Sequence, residues 1–194
     1  MEHITHRGDR GGMWPWAHAA VGYLLYVAYA HRQGLPLRGL PVLATLFGTQ
    51  APDLLDKPLA WTFAVLPAGR SLGHSLLFAL PLAVLCWYVV AGRFDRPAVA
   101  LGAAVGYVSH LFADGLGAAL AGRWADLSYL GWPVLALPEY ELDPSFAAHF
   151  LAFEFDELTL FGFALTGLAA AVWLRLAVRA RRQASEPSAA PTRE

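Results

Sequence analysis

The chain has 194 residues, of which 57% are hydrophobic and 15% charged, with a mean hydropathy of +0.43 and a formal net charge of -1. A soluble domain carries roughly 25% charged residues, so this is the composition of a membrane protein, and the length leaves room for one compact bundle only. The near-zero charge excludes a general attraction to nucleic acid, and the single cysteine, Cys86, excludes an intrachain disulfide and a cysteine-based metal site.

Residues 1–12 are polar and glycine-rich and read as a mobile tail. The first apolar run, 13–30, has Trp14 and Trp16 at its start and Tyr29 at its end, the aromatic flanks that membrane interfaces favour. A cleaved signal peptide is the rival reading, because Ala28-Tyr29-Ala30 resembles a cleavage site. The run is long for such a signal and carries His18, Tyr23 and Tyr26. A second run, 35–51, is short for a span, which takes about 17–25 residues; taken in full it just crosses, and otherwise it is re-entrant. Asp53, Asp56 and Lys57 follow, then Gly69-Arg70-Ser71-Leu72-Gly73-His74.

The third run, 75–91, contains Pro81 as an expected kink, with Ser75 placed to cap it. After the basic turn Gly92-Arg93-Phe94-Asp95-Arg96, Pro97 suits a helix first turn and opens the fourth run, 98–120. Residues 121–157 hold seven of the fifteen acids and the tryptophans Trp124 and Trp132, and read as a solvated face with interface anchors. The last run, 158–176, is followed by Arg179, Arg181 and Arg182. From residue 183 the Ser/Pro/Ala-rich tail reads as disordered. The expected architecture is therefore all-α: a polytopic integral membrane bundle of about five transmembrane helices, with one embedded domain over 13–182 between two tails.

Five crossings place Arg32, Arg38, Arg93, Arg96, Arg175, Arg179, Arg181 and Arg182 on one side, and Arg7, Arg10, Lys57, Arg70 and Arg123 on the other. The positive-inside rule makes the first side cytoplasmic, with the N-terminus outside and the C-terminus inside, in the cell (inner or plasma) membrane. The same count gathers His18, Asp53, Asp56, His74, His110 and Asp114 toward the outer side. Four crossings, with 35–51 left unspanned, would put His18 and His74 on opposite sides.

Gly102, Gly106, His110 and Asp114 are spaced by four throughout, so they share one helical face. The glycines admit a close partner helix, and ionisable groups within a span are functional candidates. Neutral imidazole and carboxylate bind zinc, manganese or iron without cysteine. His18, Asp53, His74, His110 and Asp114 are thus candidate ligands of a divalent metal ion, zinc first. Asp56 is a candidate base, bridge or orienting group, and Arg70 a candidate grip for a phosphate or carboxylate. The plain alternatives are a packing histidine at His18, an internal hydrogen-bonded His110–Asp114 pair, interface charges at Asp53, Asp56 and Arg70, and a cap at Ser75.

Ala51-Pro52-Asp53-Leu54-Leu55-Asp56, Gly69-Arg70-Ser71-Leu72-Gly73-His74-Ser75 and Gly106-Tyr107-Val108-Ser109-His110-Leu111-Phe112-Ala113-Asp114 together resemble the YdjM-like family of membrane-bound metal-dependent hydrolases. Its pattern is a Pro-Asp-x-x-Asp turn, a His-Arg-x-x-Thr-His-Ser segment and a Gly-x-x-x-His-x-x-x-Asp helix; an early histidine also recurs, which His18 fits. The likeness covers roughly residues 14–140. It implies a multi-span membrane protein with inferred metal ligands, in an arrangement similar to helical zinc-dependent phospholipases C and nucleases. Gly69 stands where the family has a histidine, and Gly73 where it has threonine.

The expected activity is metal-dependent hydrolysis of a phosphoester or lipid-linked substrate in contact with membrane lipids. Type 2 phosphatidic acid phosphatases, which use a phosphohistidine and no metal, are the second enzyme reading. Ser71-Leu72-Gly73-His74 and His110 to Asp114 echo their motifs, but residues 98–109 lack the arginine they need. A scaffold or small transporter is the non-enzymatic reading.

Overall fold

The computed structural model describes residues 13–138, 147, 151 and 153–185, and these contain helices and connections but no strand. Residues 1–12 and 186–194 and most of the acidic stretch after 138 lie outside the described residues, while 183–185, the start of the expected C-terminal tail, are helical.

Helix α1, Pro15–Gln33, has a proline in its first turn and is stopped by Gly34 in the left-handed region (φ 66°). Helix α2 is Leu40–Gly48 and α3 is Ala51–Lys57. Helix α4, Leu76–Cys86, starts where the Ser75 hydroxyl accepts from the Leu77 amide at 3.2 Å. It continues through Pro81 and widens into π-type turns over Trp87–Arg93. Helix α5, Pro97–Leu120, again has proline in its first turn. A 3-10 segment, Trp124–Gly131, precedes α6, Glu157–Ser185. Asp156 caps α6 by accepting from the Thr159 amide at 2.8 Å, and this bonding holds its carboxyl below its ordinary value.

Three helical stretches are long and apolar enough to cross a membrane: Leu76–Arg93, Pro97–Leu120 and Glu157–Ser185. Their outer faces expose Leu80, Val84, Leu85, Leu168, Trp173 and Leu174, the surface that hydrocarbon requires. Helix α1, with 19 residues, is of spanning length but carries His18 and three tyrosines. The predicted second crossing is not one helix. Helix α2 supplies nine residues, about 13 Å of rise, and the path then turns at Thr49 and Gln50 into α3. Pro52 explains the break, because it has no amide hydrogen to offer the carbonyl of Gly48.

Side-by-side contacts fix the relative directions. Pro41, Thr45 and Thr49 of the α2 strip lie against Gly102, Gly106 and His110, so α2 runs parallel to α5. His18 meets Asp114 while Gly22 meets Ser109 and Gly106, so α1 runs antiparallel to α5. Ala17 touches Gly162, and Ala169 joins the core of Ala20, Tyr23, Tyr26 and Ala30, so α6 runs parallel to α1. Helix α4 begins beside His110 and ends near the start of α5, hence antiparallel to it. These alternating passes bring the start of α1, the end of α2, the start of α4 and the latter half of α5 to one end of the bundle.

The close approach depends on glycine. A Cβ at Gly106 would overlap the carbonyl oxygen of Thr45, whereas among the described residues nothing lies within 4 Å of one at Gly117 on the same helix. Gly106→Ala is therefore expected to destabilise the protein by about 1–3 kcal/mol, read as a lowered melting temperature in detergent, while Gly117→Ala leaves it unchanged. Equal melting of the two variants would refute tight α2–α5 packing.

Candidate metal centre

Five side chains meet at that end. The loop before α4 supplies His74, α3 supplies Asp53, α5 supplies His110 and Asp114, and α1 supplies His18. His18, His74 and His110 are each at most 2% exposed.

The orientation of the imidazoles follows from their Nδ1 partners. His110 Nδ1 lies 2.7 Å from the carbonyl of Thr49. A carbonyl only accepts, so His110 Nδ1 carries the hydrogen. The α2–α3 turn puts that carbonyl there. His74 Nδ1 lies 2.8 Å from Asp56 Oδ2, and the Asp56 carboxylate also accepts the backbone N–H of Ser71 (2.8 Å), Gly73 (2.7 Å) and His74 (3.3 Å). An acceptor so surrounded by donors takes the His74 Nδ1 hydrogen as well. In the neutral rings both Nε2 atoms then present lone pairs, and these lone pairs face each other at 3.1 Å.

Two acceptors pointed at each other in a buried site need a proton or a cation between them. Carboxylate oxygens complete the setting. Asp114 Oδ2 is 3.3 Å from His74 Nε2 and 3.6 Å from His110 Nε2; Asp53 Oδ1 is 3.6 Å and 3.9 Å from the same atoms. Neighbouring donors on a four-coordinate zinc, with bonds of about 2.0–2.1 Å, are about 3.3–3.4 Å apart. The observed separations, 3.1 to 3.9 Å, bracket that value, so the His74 and His110 nitrogens together with either carboxylate could hold a divalent ion.

His18 stands beside the set. Its ring stacks on His110 with centroids 4.1 Å apart, and its Nε2 is 3.3 Å from Asp114 Oδ1, the other oxygen of that carboxylate. Donor atoms of His18, His110 and Asp114 lie within 4.8 Å of one another, as do those of Asp53, His74 and His110. His18 Nδ1 is buried with no hydrogen-bond partner among the described residues.

Two cations flank the carboxylates. Arg70 reaches Asp114 through Nε (3.1 Å to Oδ2) and a terminal nitrogen (3.3 Å to Oδ1) while remaining 30% exposed. Lys57 Nζ is 2.7 Å from Asp53 Oδ2, the oxygen turned away from the histidines. Burial disfavours ionisation of Asp53, but Lys57, His110 and His74 outweigh it and hold the carboxyl below its ordinary value. Burial likewise disfavours a charged His74, yet hydrogen bonds to Asp114 and Asp56 outweigh it and raise its pKa.

All seven residues expected from the sequence lie here, but Asp56 is fully buried and turned to the 69–75 loop rather than to the histidine nitrogens that face the cluster. Four contributors were not expected. The Thr49 carbonyl sets His110. Tyr107 donates its hydroxyl to the Gly73 carbonyl and so pins the loop that carries His74. Lys57 pairs with Asp53, a relation its i,i+4 spacing could have revealed. Trp61 lies under Lys57, 5.5 Å from its ring centroid, and fills the space beside Gly69, whose Cβ would come within 3.2 Å of the indole. Gly69 is thus packed against the Trp61 ring.

No curated protein and no solved structure matches the chain significantly. The sequence profile of the YdjM inner membrane protein family does match, over residues 13–184. With apolar helices of spanning length and buried His/Asp groups able to hold a metal ion, the protein is a membrane protein that belongs to the YdjM inner membrane protein family.

Proposed function

We propose that the protein is a membrane-bound, metal-dependent hydrolase acting on a phosphoester or lipid-linked substrate at the outer membrane face. The observation that carries this reading is the pair of Nε2 atoms of His74 and His110, 3.1 Å apart, each ring with its Nδ1 on an acceptor, with Asp53 and Asp114 beside them. A site that only fixed helix packing would hold one proton between the two Nε2 atoms instead.

His74, His110, Asp53 and Asp114 would hold the ion, zinc by its preference for mixed nitrogen and oxygen donors, with manganese or iron accepted by the same set. His18, which shares Asp114, would be a further donor. A divalent ion so held supplies Lewis acidity, which acidifies water and polarises a phosphoryl oxygen. Asp56 keeps the His74 ring in one tautomer and orientation, the role of a carboxylate behind a ligating histidine. Arg70 steadies Asp114 and turns its exposed part toward an anionic substrate. The arginine distribution supports an orientation with the N-terminus and this end of the bundle outside and the C-terminus in the cytoplasm.

Hydrolysis of a panel of phosphoesters and short-chain phospholipids by purified protein, with and without chelator, tests the reading. Activity is expected to disappear on chelation and to return with added zinc or manganese. Activity that survives chelation would instead favour a metal-free phosphohistidine enzyme. A metal-free protein with no hydrolysis on any substrate would favour a scaffold or transporter.

A further inference from the structure

The seven tryptophans mark the depth of the histidine cluster. Trp14 and Trp16 start α1, Trp61 packs on Gly69, Trp124 opens the 3-10 segment, and the Trp132 carbonyl accepts the Ser75 hydroxyl. These five lie at the bundle end that carries the histidines. Trp87 and Trp173 lie away from it, just past α4 and in the second half of α6. Tryptophan favours the membrane–water interface, so the cluster lies near the level of the lipid head groups, and α5 runs from it into hydrocarbon.

A groove follows the same course. Leu25 of α1 and Ala104, Val105, Val108, Ser109 and Phe112 of α5 line an apolar groove of about 380 Å³, within the roughly 300–1,000 Å³ of small-molecule sites. The one hydroxyl in the lining, of Ser109, donates to the Gly106 carbonyl at 2.8 Å. Leu25, Val108 and Phe112 are at least half exposed, so the groove opens sideways toward lipid. Its upper end lies at the level of the cluster: Phe112 precedes Asp114 by two residues, about 3 Å of rise, and Leu25 shares a helix face with Gly22 and His18. Its lower end, Ala104, lies ten residues before Asp114, about 15 Å of rise. That is half of a hydrocarbon core about 30 Å thick. The groove therefore descends from the level of the histidines to the middle of the bilayer, the course of one chain of a lipid in that leaflet.

We propose that this groove seats one hydrocarbon chain of the substrate, which makes the substrate a lipid taken from the surrounding leaflet and not a water-soluble ester. This rests on the metal-hydrolase reading above. The chain stays in hydrocarbon while the linkage to be cut lies at head-group level beside the histidines.

Native mass spectrometry of zinc-loaded protein, mixed in detergent with dioleoylphosphatidylglycerol or with dihexanoylphosphatidylglycerol, counts bound lipid and protein copies; elemental analysis of the same samples counts zinc. Wild type is expected to hold about one dioleoyl lipid per chain and little of the dihexanoyl lipid, whose chains are too short to fill the groove. Ala104→Phe fills the lower end, and Val108→Asn puts an amide on the wall. Each is expected to cut dioleoyl binding by roughly tenfold or more, the scale on which an apolar pocket rejects a misfit, with zinc content unchanged. Val84→Asn, the same change on the lipid-facing side of α4 (70% exposed, against 62% for Val108), is expected to leave binding intact. Wild-type binding in both groove variants, equal loss in Val84→Asn, equal binding of the two chain lengths, or wild type that holds neither lipid would overturn the chain seat. A lipid-free dimer that Ala104→Phe separates would place a second copy of the chain in the groove and overturn it as well. Lipid held by a protein that takes up no zinc would overturn the hydrolase reading, and the lipid's role as substrate with it, while leaving the groove a lipid site.

Discussion

Replacing either His74 or His110 by alanine is expected to abolish stoichiometric metal binding while leaving the helices in place. Each ring supplies one lone pair to a site whose other donors are largely carboxylate oxygens, so its loss removes half of the nitrogen donors that His74 and His110 provide. The effect should exceed the roughly 10–100-fold loss of affinity that follows damage to a supporting residue. The two variants should also resemble each other, because the rings face one another across 3.1 Å and neither serves without its partner. Elemental analysis of the purified variants, with circular dichroism as the check on folding, measures this. If His110→Ala kept its metal while His74→Ala lost it, the ion would belong to the loop alone and the shared centre would be wrong.

Removing the Asp56 carboxylate is expected to be the most destabilising single change at this end of the molecule. The side chain is fully buried and accepts from the backbone of Ser71, Gly73 and His74 and from the His74 ring. Alanine leaves those four donors without an acceptor. Each buried unsatisfied donor costs roughly 1–3 kcal/mol, so a loss of more than about 3 kcal/mol is expected for Asp56→Ala. Asp56→Asn keeps the shape but turns an amide N–H₂ toward donors, and should lower metal affinity by about 10–100-fold in a protein that still folds. Melting in detergent measures the first variant and zinc titration the second. A fully stable Asp56→Ala protein with wild-type zinc affinity would show that Asp56 does not hold His74.

Much of this site was legible in the sequence because helical periodicity and membrane topology act over short, regular distances. The four-residue spacing of Gly102, Gly106, His110 and Asp114 announced one face, and in the structure that face receives α2 and the other candidate residues. Counting alternating passes brought His18, Asp53 and His74 to the same end. The second pass was harder to read. Its apolar run extends past Gly48, and only the proline at 52, by withholding an amide, divides it into α2 and α3. That division is also what presents the Thr49 carbonyl to His110, an acceptor no side-chain pattern can reveal. The role of Asp56 depended on a loop folding back over 15 to 18 residues to bring three amides onto one carboxylate. A sequence motif likewise records Gly69 and not the indole of Trp61 that packs beside it.

The central claim is that the two facing imidazoles and the carboxylates around them hold a metal ion. Elemental analysis of the wild-type protein, purified without chelator and exchanged into metal-free buffer, addresses it most directly. A divalent transition metal, zinc foremost, is expected at about one ion per chain or slightly more. Protein that is folded, helical and free of stoichiometric metal, and that takes up none when zinc is supplied, would contradict the account.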